Sequence, residues 1–220
     1  MTTEDGFHAR VRQAYDAEVT PRRAEMRRLA TAVRAIIEGL VATTAPEDEL
    51  TAAAEALEAI AASLEGHPRG RLFEGFAESA NAGDPHAFFD HSPIIGLANP
   101  IAPPVELEVD GDKVRGTARF GSAYEGPPGC VHGGHIAAAF DEVLGMTQSL
   151  SGQPGMTGTL TVRYRRPTPL HADLRFEGEL LRREGRKIFT AGRLFHGDEL
   201  TAEAEAIFIS VDFSRLFPGT

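Results

Sequence analysis

Apolar residues at helical spacing predict two helices in the first third of the chain. Thr20 and Pro21 form a typical helix start before the first stripe, and Gly66 ends the second. The first stripe consists of Leu29, Val33, Ile36, Ile37 and Leu40, and the second of Leu50, Ala53, Leu57, Ile60 and Leu64. We expect these helices to form a hairpin. It serves either as a docking or oligomerisation module or, more simply, packs against the rest of the chain.

Strand-like alternation begins at Val105. Residues 67–103 are rich in Pro and Gly and are expected to form loops and short turns. An alternating run around Asp110 and Gly111 predicts a hairpin, and the apolar stretch 133–150 has helical spacing. Alternating segments at 157–166, 172–183, 186–196 and 200–212 predict an antiparallel meander after that helix. We therefore expect an α+β chain, with a helical extension and linker over residues 1–90 and a second domain over 91–220.

Composition narrows the range of functions. The chain has 22 Lys and Arg against 32 Asp and Glu, and this net charge of −10 argues against a nucleic-acid partner. Because no signal peptide or apolar span is visible, we expect a cytoplasmic protein. The single Cys130 excludes an internal disulfide, and the scattered histidines lack metal-ligand spacing, so no metal is expected. Residues 158–193 hold nine Lys or Arg against four Asp or Glu, an excess that suits a small polyphosphorylated ligand.

The densest candidate chemistry lies in EGPPGCVHGGHIAAAFDEVLG, residues 125–145. Gly133 and Gly134 open the predicted helix, where unpaired backbone N–H groups can stabilise an oxyanion. Gly134, Ala137, Ala138, Asp141 and Gly145 share a stripe of small side chains that contains one carboxylate. The stripe leaves room for a thin acyl or pantetheine arm, so Asp141 is a candidate base or nucleophile. Glu142 points about 100° away around the helix and is interpreted as solvated or paired.

A second candidate lies in the strand MTGTLTVRYRRP. The two-residue period places Thr157, Thr159, Thr161, Arg163 and Arg165 on one face. A hydroxyl at one end and guanidinium groups about 20 Å further along suit a ligand with a reactive acyl end and a phosphate end. Competing sites are weaker: the chain has no G-x-S-x-G elbow, Walker A loop or Rossmann fingerprint, and Cys130 and His132 need not meet as a catalytic pair.

These motifs carry a family resemblance. The runs YEGPPGCVHGG, with Asp141 nine residues after His132, MTGTLTVRYRRPTPL and EGRKIF closely resemble PaaI-like hotdog-fold acyl-CoA thioesterases of the thioesterase superfamily member 4 type. The similarity covers roughly residues 100–212 and does not explain the first 90 residues. PaaI-like relatives often have an Asn on the loop before HGG, where this chain has Gly126.

The resemblance implies a long central helix wrapped by a curved antiparallel sheet, and an active site at a dimer interface. It implies that Asp141 activates water or attacks the thioester carbonyl, and that Thr157 of the other subunit positions the water. The backbone at His132, Gly133 and Gly134 would polarise the carbonyl. The implied coenzyme A contacts are Arg163, Arg165, Arg186 and Lys187.

The expected activity is hydrolysis of acyl-CoA to the free acid and CoA, a reaction of lipid metabolism that needs no cofactor. The expected partners are the acyl-CoA substrate and further copies of the chain, as a homodimer or homotetramer (a dimer of dimers). Two alternatives stay open. One is a hotdog module that binds acyl-CoA or an acyl carrier without cleaving it; the other, which the position of the carboxylate disfavours, is a hotdog dehydratase.

Overall fold

The computed structural model describes residues 19–67, 90–103, 105–153 and 155–211. The long helices within these residues are α1 (Pro21–Ala42), α2 (Glu47–Glu65) and α3 (Gly133–Ser149). The strands within them are β1 (Glu106–Asp110), β2 (Lys113–Ala118), β3 (Gly155–Tyr164), β4 (Leu174–Glu184), β5 (Lys187–His196) and β6 (Glu199–Ser210). The predicted helices and strands are thus confirmed. Most of the predicted loop over 67–103, and with it the region before the predicted boundary at residue 90, lies outside the described residues.

The strands form one antiparallel sheet in the order β1-β2-β4-β5-β6-β3. A simple meander was expected, but β3 does not pair with β4. After β2 the chain crosses the sheet through α3, so β3 joins the far edge beside β6. A long helix enclosed by a curved antiparallel sheet is the hotdog fold, and the expected fold class is confirmed.

Helix α3 lies very close to the sheet because glycines face it. Gly178 of β4 and Gly192 of β5 are directly paired, and a Cβ on Gly192 would lie 3.1 Å from Leu144 Cδ2. A Cβ on Gly178 would overlap Oγ1 of Thr147, which instead donates to the carbonyl of Val143 at 2.7 Å. Any larger residue at the glycine pair would push the helix outward.

The apolar face of α3 fills the space between helix and sheet. Ile136, Phe140, Val143 and Leu144 are buried, as their helical spacing predicted. Phe140 packs edge-on against Phe176 of β4, with ring centroids 5.3 Å apart. Because one side of α3 is fixed in this way, the position of each side chain on its opposite side is also fixed.

Helix α1 is attached to this domain by charged groups. Arg23 and Arg27 donate to the two carboxylate oxygens of Asp90 at 2.8 and 2.7 Å, and Asp90 is only 1% exposed. Two turns further, Arg34 donates to the backbone carbonyls of Leu97 and Asn99. The simpler interpretation, packing against the rest of the chain, therefore holds for α1.

Helix α2 makes no comparable attachment. All its side chains are exposed, and it does not pack along α1. The expected hairpin is wrong in this respect, because the connection between the helices directs α2 away from α1. Thr43 and Pro46, which bound this connection, both have extended backbones.

Replacing Asp90 by Ala should lower the free energy of unfolding by about 3 kcal/mol, because it leaves two arginines without their buried carboxylate. Chemical denaturation measures this change. The matched control is Glu25→Ala, which removes an exposed partner of Arg28 on the same helix and should cost less than about 0.5 kcal/mol. Equal losses from the two substitutions would contradict the structural role of Asp90.

Candidate active site

The loop before α3 is closed by its own hydrogen bonds. The backbone N–H of Gly129 donates to Oε1 of Glu125 at 2.6 Å, and that of Gly126 donates to the Cys130 carbonyl at 2.9 Å. A Cβ on Gly126 would lie 2.8 Å from Cα of His132, so the loop has no space for a side chain there. This explains why the position that often carries Asn in PaaI-like relatives is glycine in this chain.

His132 is the N-cap of α3. Its Nδ1 accepts from the backbone N–H of Gly134 at 3.0 Å, and its own backbone N–H donates to the Tyr124 carbonyl at 2.8 Å. Of the two glycines predicted to stabilise an oxyanion, Gly134 is therefore already bonded to a side chain. Gly133 retains the N–H group of a helix start.

The stripe that contains Asp141 is partly open to solvent. Ala137, Ala138, Asp141 and Gly145 are half-buried, between the buried face of α3 and the exposed helix start. The hydroxyl of Thr157 on β3 donates to Oδ1 of Asp141 at 2.8 Å. The two predicted catalytic side chains are thus brought into direct contact, across sixteen residues of sequence.

A β-bulge at Gly158 makes this contact possible. Thr157 lies opposite Phe208 and Thr159 lies opposite Ile207, so one residue of β3 is extra. Phe208 is buried and faces α3, and Thr157 shares that face. Thr159, Thr161 and Arg163 lie on the outer face. The expectation that Thr157 shares a face with them is wrong, because the bulge reverses the alternation at Gly158.

The Asp141–Thr157 pair forms within one chain. The expectation that the threonine comes from a second subunit is therefore wrong for this contact. The start of α3 is far from this pair within the same chain. Gly133 precedes Asp141 by eight residues, or about 12 Å along the helix axis. A single carbonyl group cannot lie within hydrogen-bond distance of both.

Glu142, the neighbour of Asp141, is half-buried and paired, which agrees with one of the two alternatives expected for it. Ser92 donates to its Oε1 at 2.6 Å, and the Ser92 oxygen accepts from the backbone N–H groups of Ile94 and Ile95. Burial raises the pKa of Glu142 above its ordinary value, although the hydrogen bond from Ser92 opposes this effect. Glu142 therefore anchors the segment around Ser92 to α3 and does not face the stripe of small residues.

Sequence analysis did not identify three aromatic or imidazole side chains that lie near the start of α3. Tyr164, at the end of β3, donates to the Gly133 carbonyl at 2.7 Å. The rings of Tyr124 and His135 are in edge contact, with centroids 5.0 Å apart, and burial lowers the pKa of His135. Their sequence signals were weak, since a single Tyr or His on a strand or helix has no distinctive spacing.

Helix α1 also reaches this loop. Glu38 accepts from the backbone N–H of Ser122 at 2.9 Å, in the short 3-10 helix Ser122–Tyr124 that leads into the loop. The Ser122 hydroxyl lies 3.1 Å from Nε2 of His171, whose backbone has a positive φ of 56°. The segment containing His171 in turn braces the far side of the loop, where Leu170 N–H donates to the Gly129 carbonyl. Glu38 therefore stabilises both flanks of the loop.

The four predicted coenzyme A contacts do not form one cluster within a chain. Arg163 pairs with Glu205 at 3.2 Å, and Arg165 pairs with Glu203. Arg186 and Lys187 lie at the opposite end of the sheet, beside Ser210 and Ile209. The first pair is thus near the Tyr164 end of β3, and the second is near the Thr157 end.

Comparison with known proteins agrees with this geometry. The sequence model of the thioesterase superfamily matches residues 128–203, from the loop to the middle of β6. A crystal structure of a thioesterase superfamily protein is 36% identical, with a TM-score of 0.73, over 84% of this chain and 94% of that one. The chain belongs to the thioesterase superfamily.

Among curated relatives, this thioesterase-superfamily chain is similar to acyl-coenzyme A thioesterase THEM4. It is 38% identical to the Xenopus laevis protein over 93 residues and 39% identical to the Mus musculus protein over 90 residues. These matches cover 41% and 40% of this chain, and 42% and 39% of the two relatives. The chain therefore matches about four-tenths of the length of each relative.

The described part of the chain offers no other obvious chemistry. None of its helices is long and apolar enough to cross a membrane. Within the same residues, no three His, Cys, Asp or Glu side chains are grouped closely enough to hold a metal ion. Cys130 has its Sγ 3.6 Å from the Pro128 carbonyl, a contact within the loop.

Replacing Glu38 by Ala should destabilise the chain at neutral pH by up to about 1 kcal/mol, since the carboxylate is half-exposed. The Ser122 N–H holds the pKa of Glu38 below its ordinary value. A lowered pKa means that the carboxylate stabilises the fold above its unfolded-state pKa of about 4.3, and that this contribution is lost as the pH falls through the folded-state value.

Denaturation of the wild type and of Glu38→Ala between pH 3 and pH 7 measures this effect. The difference between them should be largest at neutral pH and should shrink in acid. Glu58→Ala, at an exposed position of α2, is the control and should show no such trend. A difference between wild type and Glu38→Ala that is constant with pH would contradict the role of the Glu38 charge.

Proposed function

We propose that this chain hydrolyses the thioester of acyl-CoA to the free acid and CoA, with Asp141 as the general base. The observation that carries the proposal is the 2.8 Å hydrogen bond from Thr157 to Asp141, on a half-open stripe of small residues. The curated relatives are named acyl-coenzyme A thioesterases, which supports both the reaction and the substrate class.

The hydrogen bond between Thr157 and Asp141 determines where a water molecule can bind. A threonine hydroxyl has one proton, and in this structure it is donated to Oδ1 of Asp141. The lone pairs of the Thr157 oxygen and the second carboxylate oxygen remain available as acceptors. A water molecule that donates to both is held against the base that removes its proton.

The reaction then follows from this arrangement. Asp141 takes a proton from the water, whose oxygen attacks the thioester carbonyl carbon to give a tetrahedral oxyanion. When the oxyanion collapses, the C–S bond breaks, and the CoA thiolate leaves and takes the proton that Asp141 removed from the water, which regenerates the base. Direct attack by the carboxylate, through an acyl-enzyme anhydride that water then hydrolyses, is the alternative role of Asp141.

The oxyanion needs donors near Asp141, and its own helix start is about 12 Å away. We infer that the start of α3 acts on a substrate bound to Asp141 of a second copy, with the backbone N–H of Gly133 as the donor; the N–H groups of His132 and Gly134 would first have to leave the Tyr124 carbonyl and the His132 ring. The working unit would then be a homodimer or a larger oligomer with two equivalent sites. Its location in the cell would be the cytoplasm.

The basic side chains are proposed to bind the phosphate groups of CoA. Arg163 lies on the outer face of β3 and Arg165 directly follows this strand, which is an edge strand, so a ligand can pass round that edge. Both would have to exchange their glutamate partners for phosphate. Arg186 and Lys187 lie at the Thr157 end of the sheet, so the two pairs would contact one CoA only if they come from different copies.

Asp141→Asn should lower the rate of thiol release from acyl-CoA by at least about a hundredfold, because an amide cannot accept the proton. A panel of short-chain, long-chain and phenylacetyl esters identifies the substrate. Asp173→Asn makes the same change at an aspartate 94% exposed and should leave turnover unchanged. Full activity in Asp141→Asn would refute the assignment of the base, and tight acyl-CoA binding without thiol release by the wild type would favour the binding module.

Thr157→Val keeps the shape of the side chain and removes its hydroxyl, so it should lower kcat by about tenfold or more with a smaller change in KM. Thr157→Ser keeps the hydroxyl and should retain most of the activity. Steady-state kinetics on the preferred ester separates the two variants. Similar losses in both would indicate that packing of the threonine methyl group, and not the hydroxyl, is required.

A further inference from the structure

Helix α1 exposes the face that an amphipathic helix normally buries. Its contacts with the domain are made by Arg23, Arg27, Arg34 and Glu38. Its large apolar side chains on the other side are exposed by 39 to 62%, namely Leu29, Ile36 and Leu40. Since an apolar stripe usually faces the protein interior, this inverted arrangement indicates a surface that is covered by something else.

Helix α2 exposes a second apolar stripe. Leu50, Leu57, Ile60 and Leu64 are between 37 and 54% exposed. With Ala53 they follow the alternating three- and four-residue spacing of a coiled-coil seam, and Leu29, Val33, Ile36 and Leu40 of α1 follow it too. Most of the stability of a helix in a protein comes from packing of its apolar face, so the exposed seam of α2 indicates a packing partner.

The charges of the helices identify which surface suits α2. Helix α2 contains six acidic residues and no basic residue, whereas α1 contains five arginines and two glutamates. Two α2 helices side by side would repel each other, whereas α1 carries Arg22 and Arg28 outside its contacts with the domain and so avoids this repulsion. The complementary surface for the seam of α2 is therefore the seam of an α1 helix.

The connection between the helices decides which copy supplies that α1. Only four residues join Ala42 to Glu47, and both Thr43 and Pro46 are extended, with ψ of 145° and 163°. Pro46 has a fixed φ and also favours an extended residue before it. This short, stiff connection holds α2 away from its own α1, a situation that favours exchange of the helix between copies.

We propose that α2 of one copy packs on α1 of a second copy, and that α2 of the second copy packs on α1 of the first. The seams then form a four-helix contact with two-fold symmetry, separate from the sheet and from Asp141. The contact needs no bound substrate and does not depend on the proposed thioesterase activity. Residues 21–65 would thereby act as an oligomerisation arm.

Sedimentation equilibrium of the full chain tests the arm. The seam variant Leu57→Glu with Ile60→Glu places two charges in the contact, and it should have half the molar mass of the wild type at micromolar concentration. The matched control, Ala59→Glu with Ala62→Glu, adds the same charges to the opposite face of α2 and should keep the wild-type mass. Because any contact through the sheet is unchanged, a twofold difference reports on the arm alone.

A second seam variant, Leu57→Ala with Ile60→Ala, tests whether the glutamate substitutions act only by unfolding α2, since alanine favours helix formation. It should also weaken self-association, by at least about tenfold in Kd, while circular dichroism shows the helix content of the wild type. Equal molar masses for the wild type and both seam variants at every concentration would overturn the proposal. In that case another protein would be the partner of the arm.

Cross-linking identifies which α1 is involved. In a Cys130→Ser background, one copy carries Ile36→Cys and another carries Leu57→Cys, and a short bis-maleimide reagent is added. A mixture should give a cross-linked dimer that contains one copy of each. If instead a chain carrying both substitutions is cross-linked internally, at a rate independent of dilution, α2 folds back on its own α1 and the proposal is wrong.

Discussion

The close approach of α3 to the sheet is the constraint on which the rest of the domain depends. It exists because Gly178 and Gly192 are paired beneath the helix, where Thr147 and Leu144 leave no space for a side chain. With the buried face of α3 fixed, the half-open stripe that contains Asp141 has only one orientation. Core packing therefore determines the geometry of the site, as expected for catalytic groups that must be held on rigid elements.

The β-bulge at Gly158 is the second constraint, and it acts locally. Without the extra residue, Thr157 would lie on the outer face with Thr159, and Asp141 would have no hydroxyl donor from β3. The bulge lies in an edge strand, where one unpaired residue disturbs a single partner strand. A Cβ on Gly158 would lie 3.1 Å from the Ile209 side chain, so a small residue is required there.

Sequence patterns predicted the features that depend on local periodicity. The helices, the turn at Gly111 and the buried face of α3 follow directly from spacing and turn chemistry. The placement of Thr157 did not, because strict alternation cannot reveal a bulge. The partners of Asp90 and Glu38 were also missed, since ion pairs and caps between residues more than 60 positions apart leave no periodic signal. The sequence also could not show that β5 and β6 lie between β3 and β4 in the sheet.

Helix α1 contacts two parts of the active-site region. Its charged face holds the segment around Ser92, which anchors Glu142 beside Asp141, and its Glu38 braces the loop that leads to His132. Its apolar seam, on the opposite side, is the surface proposed to pack against α2 of a second copy. Helix α1 therefore belongs to the architecture of the site and is more than an appendage of the hotdog domain.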